Sequence, residues 1–306
     1  HTDIVLTVQC SIDGNWIVTS SKDTTCRVWN TSTLSCIGIG SGHTDSVSSI
    51  ALSQRIGAYQ SKFAVFISGG GDKVLKRWNF PFERFNSNQV INLISTHSVR
   101  AHDKDINSIA ISPNDALVAS CSHDTNIRIW NCQDLSAVTT LTGHKKGVWC
   151  VRFSPVDKCL ASCGGDRTLK LWSLTDYSCL RTFQGHTASV LSVQFVRHGM
   201  QLVSAAADGL LYLWTIRTGE RENILDKHTE KIWGLEKIQF NDAEILLSCG
   251  SDSKIISWYD ATPEEEEKQL ELHEKVVLLE QQLANKIRLG QYSEALNIAF
   301  ELQHPK

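Results

Sequence analysis

The sequence predicts an all-β fold built from at least six copies of one repeating unit, followed by a short α-helical hairpin. Three observations lead to this prediction. Four marker residues recur with nearly constant spacing, so that His144, His186 and His228 stand 42 residues apart. Short apolar or alternating segments, which are typical of β-strands, lie between the markers. After Pro263 the apolar residues change to helical spacing.

The markers of each unit are a histidine, a hydroxyl residue, an aspartate and a tryptophan. The tryptophan follows the histidine after 28 residues in four units, and after 35 and 30 residues in the two units that carry insertions. The aspartate always lies six residues before the tryptophan, and the serine or threonine lies four residues before the aspartate. The six predicted structural tetrads are His1, Thr19, Asp23 and Trp29; His43, Ser68, Asp72 and Trp78; His102, Ser120, Asp124 and Trp130; His144, Ser162, Asp166 and Trp172; His186, Ser204, Asp208 and Trp214; and His228, Ser248, Asp252 and Trp258.

The segments between the markers are predicted to be strands. Val148–Phe153 and Thr168–Trp172 are apolar or alternating, and turn residues such as Ser112–Asp115 separate such segments. This pattern resembles the WD40 repeat, in which four strands form one blade of a β-propeller. The resemblance implies a WD40 β-propeller with at least six blades, and with a seventh if residues upstream of His1 contribute one.

The WD40 resemblance also implies a role for the tetrads. A buried indole N–H needs a hydrogen-bond partner, and the hydroxyl residue is placed to supply it. The family pattern puts the histidine between this hydroxyl and the aspartate. Each such hydrogen bond contributes about 0.5–1.5 kcal/mol net, whereas a buried partner left unsatisfied costs about 1–3 kcal/mol. We therefore expect the tetrads to stabilise the blades.

Two parts of the repeat are irregular. After Trp258 the chain enters Tyr259–Pro263 and four glutamates, so the sixth blade is expected to lack its own outer strand. Propellers commonly close such an edge with a strand from the other end of the chain, because an open edge invites aggregation. The second blade carries extra residues around Gln54–Lys62 and between Trp78 and His102. These insertions either contact a partner or are tolerated surface loops.

The tail is predicted to be helical. Val276, Leu279, Leu283 and Ile287 recur at helical spacing, and Gly290 separates them from a second set that includes Tyr292 and Leu296. We expect residues 1–262 to form the propeller and residues 263–306 to begin a C-terminal helical domain. Two short helices cannot bury both faces alone. The tail residues that could contact a partner, unless they form the core of the helical domain, are Leu283, Ile287, Tyr292 and Leu296.

Two tryptophans outside the tetrads are candidate anchors for a protein partner. Trp149 and Trp233 each follow the apolar residue that opens an innermost strand, which would place them at the mouth of the ring. Exposed aromatic side chains make good anchors in protein interfaces. Core packing explains the two residues almost as well.

Basic residues near Trp149 raise the alternative of direct RNA contact. Lys145 and Lys146 precede the innermost strand of the fourth blade, and Arg152 and Arg167 lie in the same unit. Before Pro263 the chain carries 25 basic and 24 acidic residues, so the ring lacks the charge excess that nucleic-acid readers show. A solvated surface explains these cations without a ligand.

Catalytic and metal chemistry are not expected. Histidine, serine and aspartate also form hydrolase triads, but a triad occurs once per site and not six times beside a tryptophan. Cys159 with Cys163, and His97 with His102, lack two further ligands at the spacing of a metal site. The ten cysteines contain no CxxC pair, which indicates reduced thiols. We expect no cofactor and no small-molecule substrate, and no apolar run is long enough to predict a membrane partner.

The whole segment resembles the Utp13, or transducin beta-like protein three, family. The resemblance is densest in His1–Leu6, His102–Ser108, Gly147–Val151, Lys231–Leu235 and the tail segment Leu289–Leu296. It implies that residues 1–262 are the second of two tandem propellers in a longer protein. It further implies membership of the UTP-B subcomplex of the small-subunit processome, which acts with U3 small nucleolar RNA on 18S ribosomal RNA precursors in the nucleolus.

The implied partners are therefore other UTP-B and processome proteins, with direct contact to pre-rRNA or U3 RNA left open. No catalytic residue carries over from the family. Two other functional classes remain open for a propeller joined to helices. One is a vesicle-coat subunit, whose helical repeats would continue well past Lys306. The other is a substrate receptor of a ubiquitin ligase, which would need a pocket for a short peptide motif.

Overall fold

The computed structural model describes residues 1–53, 63–81, 90–240 and 243–261, together with Leu279, Gln282 and Leu283. The chain divides into two compact units. The first comprises His1–Ile238 and Leu246–Ser257, and the second comprises Gln239–Ile245 and Trp258–Lys306. The domain boundary expected between residues 262 and 263 stays a prediction.

Six β-sheets, numbered here as blades one to six, account for the described strands. Blade one contains β1 (Val5–Cys10), β2 (Trp16–Ser21), β3 (Cys26–Asn30), β4 (Ser35–Gly40) and β8 (Ile91–Leu93); blade two contains β5 (Ser49–Leu52), β6 (Phe63–Gly69), β7 (Val74–Pro81) and β9 (Ser95–Arg100); blade three contains β10 (Ile106–Ile111), β11 (Leu117–Ser122), β12 (Ile127–Asn131) and β13 (Ala137–Leu141); blade four contains β14 (Val148–Phe153), β15 (Cys159–Gly164), β16 (Thr168–Ser173) and β17 (Cys179–Gln184); blade five contains β18 (Val190–Val196), β19 (Gln201–Ala206), β20 (Leu210–Thr215) and β21 (Arg221–Asp226); and blade six contains β22 (Ile232–Phe240), β23 (Ala243–Gly250) and β24 (Ile255–Tyr259).

The predicted all-β propeller with at least six blades is confirmed. In blades one to five, strands that follow one another directly in the repeat pair antiparallel, as β14 to β17 do in blade four, and a 3-10 turn at Arg197–Gly199 joins β18 to β19. The predicted helical hairpin lies outside the described residues except for Leu279, Gln282 and Leu283, which are helical. Within the described residues, no helix is long and apolar enough to cross a membrane.

The first strand of every blade lines a central channel. A cavity of about 220 Å³ is bordered by residues from all six blades, among them Gln9, Ala110, Arg152, Gln194 and Glu236. Each of these five residues stands eight positions after the tetrad histidine of its own blade. The repeat therefore places equivalent positions around one axis.

A β-bulge interrupts the first strand of four blades at the same place. On β14 the register passes from Val148 paired with Gly164 to Cys150 paired with Cys163, which leaves Trp149 as the extra residue. The first strands of blades one, three and five shift in the same way. A bulge leaves its extra residue unpaired and redirects that side chain.

Neighbouring blades pack through apolar side chains. Val47 and Ile50 of blade two, for example, belong to one buried cluster with Trp16 and Val28 of blade one. Burying one such side chain contributes roughly 1.5–3 kcal/mol. The core of the propeller therefore consists of layers that lie between adjacent blades.

One face of blade one is the exception to this packing. Val148 and Val151 of blade four are fully buried, whereas Val5 and Val8 at the equivalent positions of β1 are 48% and 59% exposed. The described residues thus leave this apolar face of blade one open to solvent.

Blade six has three strands among the described residues, in the order β22, β23 and β24. The segment after Trp258 in which an outer strand would follow lies outside the described residues from residue 262, so the expectation that blade six lacks its own outer strand stays a prediction. Blades three, four and five each have four strands.

The second insertion of blade two supplies a strand to blade one. β8 pairs parallel with β4, through Gly38 with Ile91 and Gly40 with Leu93. Leu93 is buried in the cluster between blades one and two. Glycine is needed on β4 because a Cβ at Gly38 would lie 2.8 Å from the ring of Phe80. The first insertion, around Gln54–Lys62, lies outside the described residues.

Candidate functional site

The tetrad side chains form a complete hydrogen-bonded chain in blades one to four. Histidine Nδ1 lies 2.7 Å from the aspartate carboxylate in blades one and two and 2.9 Å in blades three and four. Histidine Nε2 lies 2.7–2.8 Å from the hydroxyl oxygen. That oxygen also accepts the indole N–H of the tryptophan at 2.7–2.9 Å. Because the carboxylate keeps a proton on Nδ1, Nε2 is free to accept the hydroxyl hydrogen.

The aspartate of each complete tetrad also fixes a surface loop. In blade four the carboxylate of Asp166 accepts the backbone N–H of Lys145 at 2.9 Å. Burial raises the pKa of Asp166, but the hydrogen bonds from His144 and Lys145 lower it further, so that the pKa lies well below its usual range. In blades one to three the tetrad aspartate likewise accepts the backbone N–H of the residue that follows the histidine. These residues are Thr2, Thr44 and Asp103.

These loops together form one side of the propeller, which we call the tetrad face. It consists of the loop that begins at each tetrad histidine and ends before the first strand of the blade, namely residues 1–4, 43–48, 102–105, 144–147, 186–189 and 228–231, together with the adjoining Trp149, Arg167 and Trp233. The buried hydrogen bonds below it give the face a fixed backbone. Rigid support of this kind favours a binding surface.

Blade five departs from the pattern. His186 Nε2 lies 2.6 Å from Ser204 Oγ, which accepts the indole N–H of Trp214 at 2.8 Å. The Nδ1 atom of His186 is buried without a hydrogen-bond partner, while Asp208 accepts a hydrogen bond from the Thr187 hydroxyl at 2.7 Å. Burial lowers the pKa of His186 to about 4. The fifth tetrad therefore lacks the histidine–aspartate link.

In place of that link, the His186 ring stacks on Tyr212. Their centroids are 4.0 Å apart with an interplanar angle of 11°. The Arg221 guanidinium carbon lies 4.8 Å from the centroid of Tyr212. Blades one to four have Arg27, Lys76, Arg128 and Lys170 where blade five has Tyr212. An aromatic residue at this position thus gives His186 a neighbour that the tetrad histidines of blades one to four lack.

Blade six restores the link to aspartate. His228 Nδ1 lies 3.0 Å from an Asp252 carboxylate oxygen, and Nε2 lies 2.8 Å from Ser248 Oγ. Trp258, the fourth member by sequence, lies on β24 and belongs to the second compact unit.

Trp149 and Trp233 both lie at the tetrad face but in different environments. Trp149 is half-buried on the bulge of β14, and its ring meets His123 of blade three edge to face, with centroids 4.7 Å apart. Trp233 is 54% exposed, and its indole N–H donates to Ser251 Oγ at 2.8 Å. Neither side chain lies in the apolar core, which was the competing interpretation of the sequence.

The cations near Trp149 are separated by the fold. Lys145, Lys146 and Arg167 are exposed at the tetrad face. Arg152 instead borders the central cavity, where its guanidinium lies 3.4 Å from the carboxylate of Glu236. Three of the four basic residues considered for RNA contact thus share one surface, and Arg152 does not belong to it.

Histidine, cysteine, aspartate and glutamate are the side chains that metal or thiol chemistry would use. The described residues contain no group of three or more histidine, cysteine, aspartate or glutamate side chains that could hold a metal ion. All ten cysteines are free thiols. Burial raises the pKa of Cys26 to about 12, so this thiol stays protonated.

Of the four tail candidates, one lies within the described residues. Leu283 is helical and half-buried, as is Leu279 one turn earlier. Ile287, Tyr292 and Leu296 lie outside the described residues, and their role in a partner interface stays a prediction.

Sequence reasoning missed the residues that distinguish the two tryptophans. Ser251 stands three positions after the tetrad hydroxyl of blade six, and the same position in blade four is Gly165. Aligning the six units on their tetrads would have revealed this difference. The contact of Trp149 with His123 had no such signal, because it joins two blades.

Comparisons with known proteins confirm the resemblance seen in the sequence. U3 small nucleolar RNA-associated protein 13 of Saccharomyces cerevisiae is 34% identical over 145 residues, which is 46% of this chain and 18% of that protein. Transducin beta-like protein 3 of Homo sapiens is 38% identical over 138 residues, or 42% of this chain and 16% of that protein. The Ribosome biogenesis protein WDR12 homolog of Anopheles gambiae is 29% identical over 136 residues, or 44% of this chain and 28% of that protein. The match thus spans less than a third of any of these relatives.

The family model described as WD domain, G-beta repeat matches five segments. These are residues 1–30, 34–79, 93–131, 135–173 and 177–215, which contain the first five tetrads. The sixth tetrad lies beyond the last matched segment and repeats the same geometry at His228, Ser248 and Asp252. Since the matched segments cover more than half of the chain and the fold is a β-propeller, the protein belongs to the WD40 family.

Proposed function

We propose that this protein is a non-catalytic interaction scaffold in ribosome biogenesis. The observation that carries the proposal is the similarity to a protein named for its association with U3 small nucleolar RNA, at 34% identity over 145 residues. The relative named as a ribosome biogenesis protein supports the same process. In this proposal the chain acts in the small-subunit processome, as part of the UTP-B subcomplex, during processing of 18S rRNA precursors with U3 RNA. Its location is then the nucleolus.

The tetrad geometry supports a structural and not a catalytic role for histidine, serine and aspartate. Ser162 is fully buried, and its hydroxyl oxygen already accepts the indole N–H of Trp172 and contacts His144. A nucleophile must reach a substrate carbonyl, and a buried hydroxyl that serves an indole cannot. The hydroxyl accepts the indole N–H in the same way in blades one, two, three and five, as expected of a device that stabilises each repeat.

The tetrad face supports protein docking. It combines a backbone held by buried hydrogen bonds with two accessible tryptophans, Trp149 and Trp233, and the exposed cations Lys145 and Lys146. Tryptophan is enriched among residues that dominate binding energy in protein interfaces. Other processome proteins are the partners that this proposal expects.

Affinity purification of the full-length protein from nuclear extract tests the proposal. Mass spectrometry should identify UTP-B and other processome proteins, and hybridisation should detect U3 RNA. The variant Trp233→Ala should reduce the recovery of at least one protein partner without lowering the melting temperature. Met200→Ala, at a residue that is 65% exposed away from the tetrad face, is the matched control and should change nothing. Recovery of vesicle-coat or ubiquitin-ligase subunits without U3 RNA would contradict the proposal.

A further inference from the structure

The indole N–H of Trp149 is a donor that the fold positions but does not use. The β-bulge of β14 directs this side chain to the tetrad face, and the edge-to-face contact with His123 restrains its ring. Trp149 makes no hydrogen bond to any described residue, although the ring is half-buried. A restrained donor at a partly buried position favours binding of an acceptor group, because little entropy is lost on binding.

The comparison between blades four and six shows where an acceptor would lie. In blade six Ser251 Oγ accepts the indole N–H of Trp233 at 2.8 Å. Gly165 occupies the equivalent position in blade four, and a Cβ built there would lie 3.6 Å from the Trp149 Nε1 atom. A ligand oxygen in front of Gly165 would therefore meet the N–H that a serine side chain satisfies in blade six.

Three exposed cations lie in the loop before Trp149 and in the turn that contains Gly165. Lys145 and Lys146 are exposed in the preceding loop, and a Cβ at Gly165 would lie 3.5 Å from the Lys146 Cβ. Arg167 is exposed at the neighbouring turn, where its guanidinium donates to the carbonyl of Thr187 at 3.5 Å. Among the described residues none of these three cations forms an ion pair. The ligand that complements three cations and one N–H donor is an anion with oxygen acceptors.

We propose that Lys145, Lys146, Trp149, Gly165 and Arg167, here called the blade-four site, dock an acidic segment of a protein partner through its aspartate and glutamate carboxylates. This inference deepens the proposed function, since it presupposes that the chain is a protein scaffold. One carboxylate accepts the Trp149 N–H in front of Gly165, and neighbouring carboxylates pair with the cations.

An acidic peptide fits this site better than RNA does. Asp103, whose side chain is 77% exposed and lies 4.0 Å from Arg128, and Asp105 flank the exposed Lys104 on the same face in blade three, so a phosphate backbone that continued from blade four would meet two carboxylates there. The ring of Trp149 already makes an aromatic contact with His123, which takes up part of the ring surface that a stacked base would use. A short acidic segment can stay within blade four.

Fluorescence anisotropy with the full chain tests the proposal. The probe is a fluorescein-labelled peptide of twelve residues that alternate glutamate and serine, and the comparison probes are the same peptide with glutamine for glutamate and a single-stranded RNA of equal charge. We expect the glutamate peptide to bind, with an affinity that falls as salt rises. Trp149→Phe removes the indole N–H and keeps an aromatic ring. This variant should weaken binding about tenfold, because one hydrogen bond to a charged group is lost.

Gly165→Ser is the sharper variant because it leaves every cation in place. A Cβ at Gly165 meets its neighbours at no less than 3.5 Å, so the serine fits, and its hydroxyl should accept the Trp149 N–H and weaken peptide binding by a similar factor. Met200→Ala, at a residue that is 65% exposed away from the tetrad face, is the control and should leave the affinity unchanged. Melting temperatures within a few degrees of the parent protein establish that the variants are folded.

Equal binding of the glutamine peptide, binding of RNA without the glutamate peptide, or full affinity in Gly165→Ser would each overturn the inference. Recovery of U3 RNA and processome proteins from extract does not depend on this peptide. Failure of the blade-four site with normal recovery therefore refutes the inference alone, and peptide binding without U3 RNA recovery refutes the proposed function alone.

Discussion

At the scale of single residues, the same four residue types build different hydrogen-bonded chains in blades four and five. In blade four the Nδ1 atom of His144 is 2.9 Å from the carboxylate of Asp166, whereas in blade five the Nδ1 atom of His186 has no partner. The spacing of the markers predicts which residues meet, but not this difference. It depends on Tyr212 and Thr187, which are outside the repeating set and compete for the ring and the carboxylate.

Because only Asp166 is bonded to its tetrad histidine, Asp166 and Asp208 form a matched pair for substitution. Asp166→Ala leaves the buried Nδ1–H of His144 and the backbone N–H of Lys145 without an acceptor, so we expect a loss of about 1–3 kcal/mol or more in the free energy of unfolding. Asp208→Ala breaks no bond to His186 and should cost less. Thermal melts at neutral pH, where the lowered pKa of Asp166 keeps its carboxylate ionised, measure both effects.

The stability contributed by Asp166 has a defined pH range. The folded-state pKa of Asp166 lies below the ordinary aspartate pKa. The stability that Asp166 contributes is therefore complete above the ordinary aspartate pKa and is lost as the pH falls through the folded-state pKa. The gap between the melting temperatures of Asp166→Ala and the parent protein should therefore narrow in strong acid. Equal melting temperatures for the two variants at neutral pH would contradict the structural role of the tetrad.

At the scale of secondary-structure elements, alternation and marker spacing predict the strands of each blade. They do not predict β8. Ile91–Leu93 is only three residues long and lies within an insertion, so no periodicity identifies it as a strand. Its partner β4 belongs to another repeat, and its position is set by tertiary packing of Leu93 between two blades.

Leu93 and Ile94 test the contribution of β8. Leu93 is 5% exposed, whereas Ile94 next to it is 85% exposed. Leu93→Ala should lower the free energy of unfolding by about 2–5 kcal/mol, because it leaves a cavity between blades one and two. Ile94→Ala should stay within about 0.5 kcal/mol of the parent protein. Denaturant titrations compare the two, and equal effects would show that β8 does not stabilise this junction.

At the scale of the whole molecule, the described blades present one apolar face that no described sheet covers. Val8 of β1 is 59% exposed, although the equivalent Val151 is fully buried between blades three and four. Sequence reasoning anticipated an unpaired edge on blade six, but the exposed face of blade one is visible only once the blades are placed around the channel. Exposed apolar patches of this kind favour association with other surfaces.

Val8→Ser and Val151→Ser should therefore behave differently. The change at Val8 removes exposed apolar surface, so it should leave the melting temperature nearly unchanged and reduce concentration-dependent self-association in analytical ultracentrifugation. The change at Val151 puts a hydroxyl into a buried layer and should cost roughly 2 kcal/mol or more. A large loss of stability in Val8→Ser would mean that this face is covered.

The strand β8 also affects the order in which the blades unfold. In an array of repeats each unit contacts only its neighbours, so opening can spread one blade at a time. β8 belongs to blade two by chain connection and to blade one by its backbone hydrogen bonds. Neither blade can open fully while the other stays intact, so the two form one cooperative block. Among the described strands blade six has three, so opening should start there and reach the block of blades one and two last, which gives the repeats a definite order of unfolding.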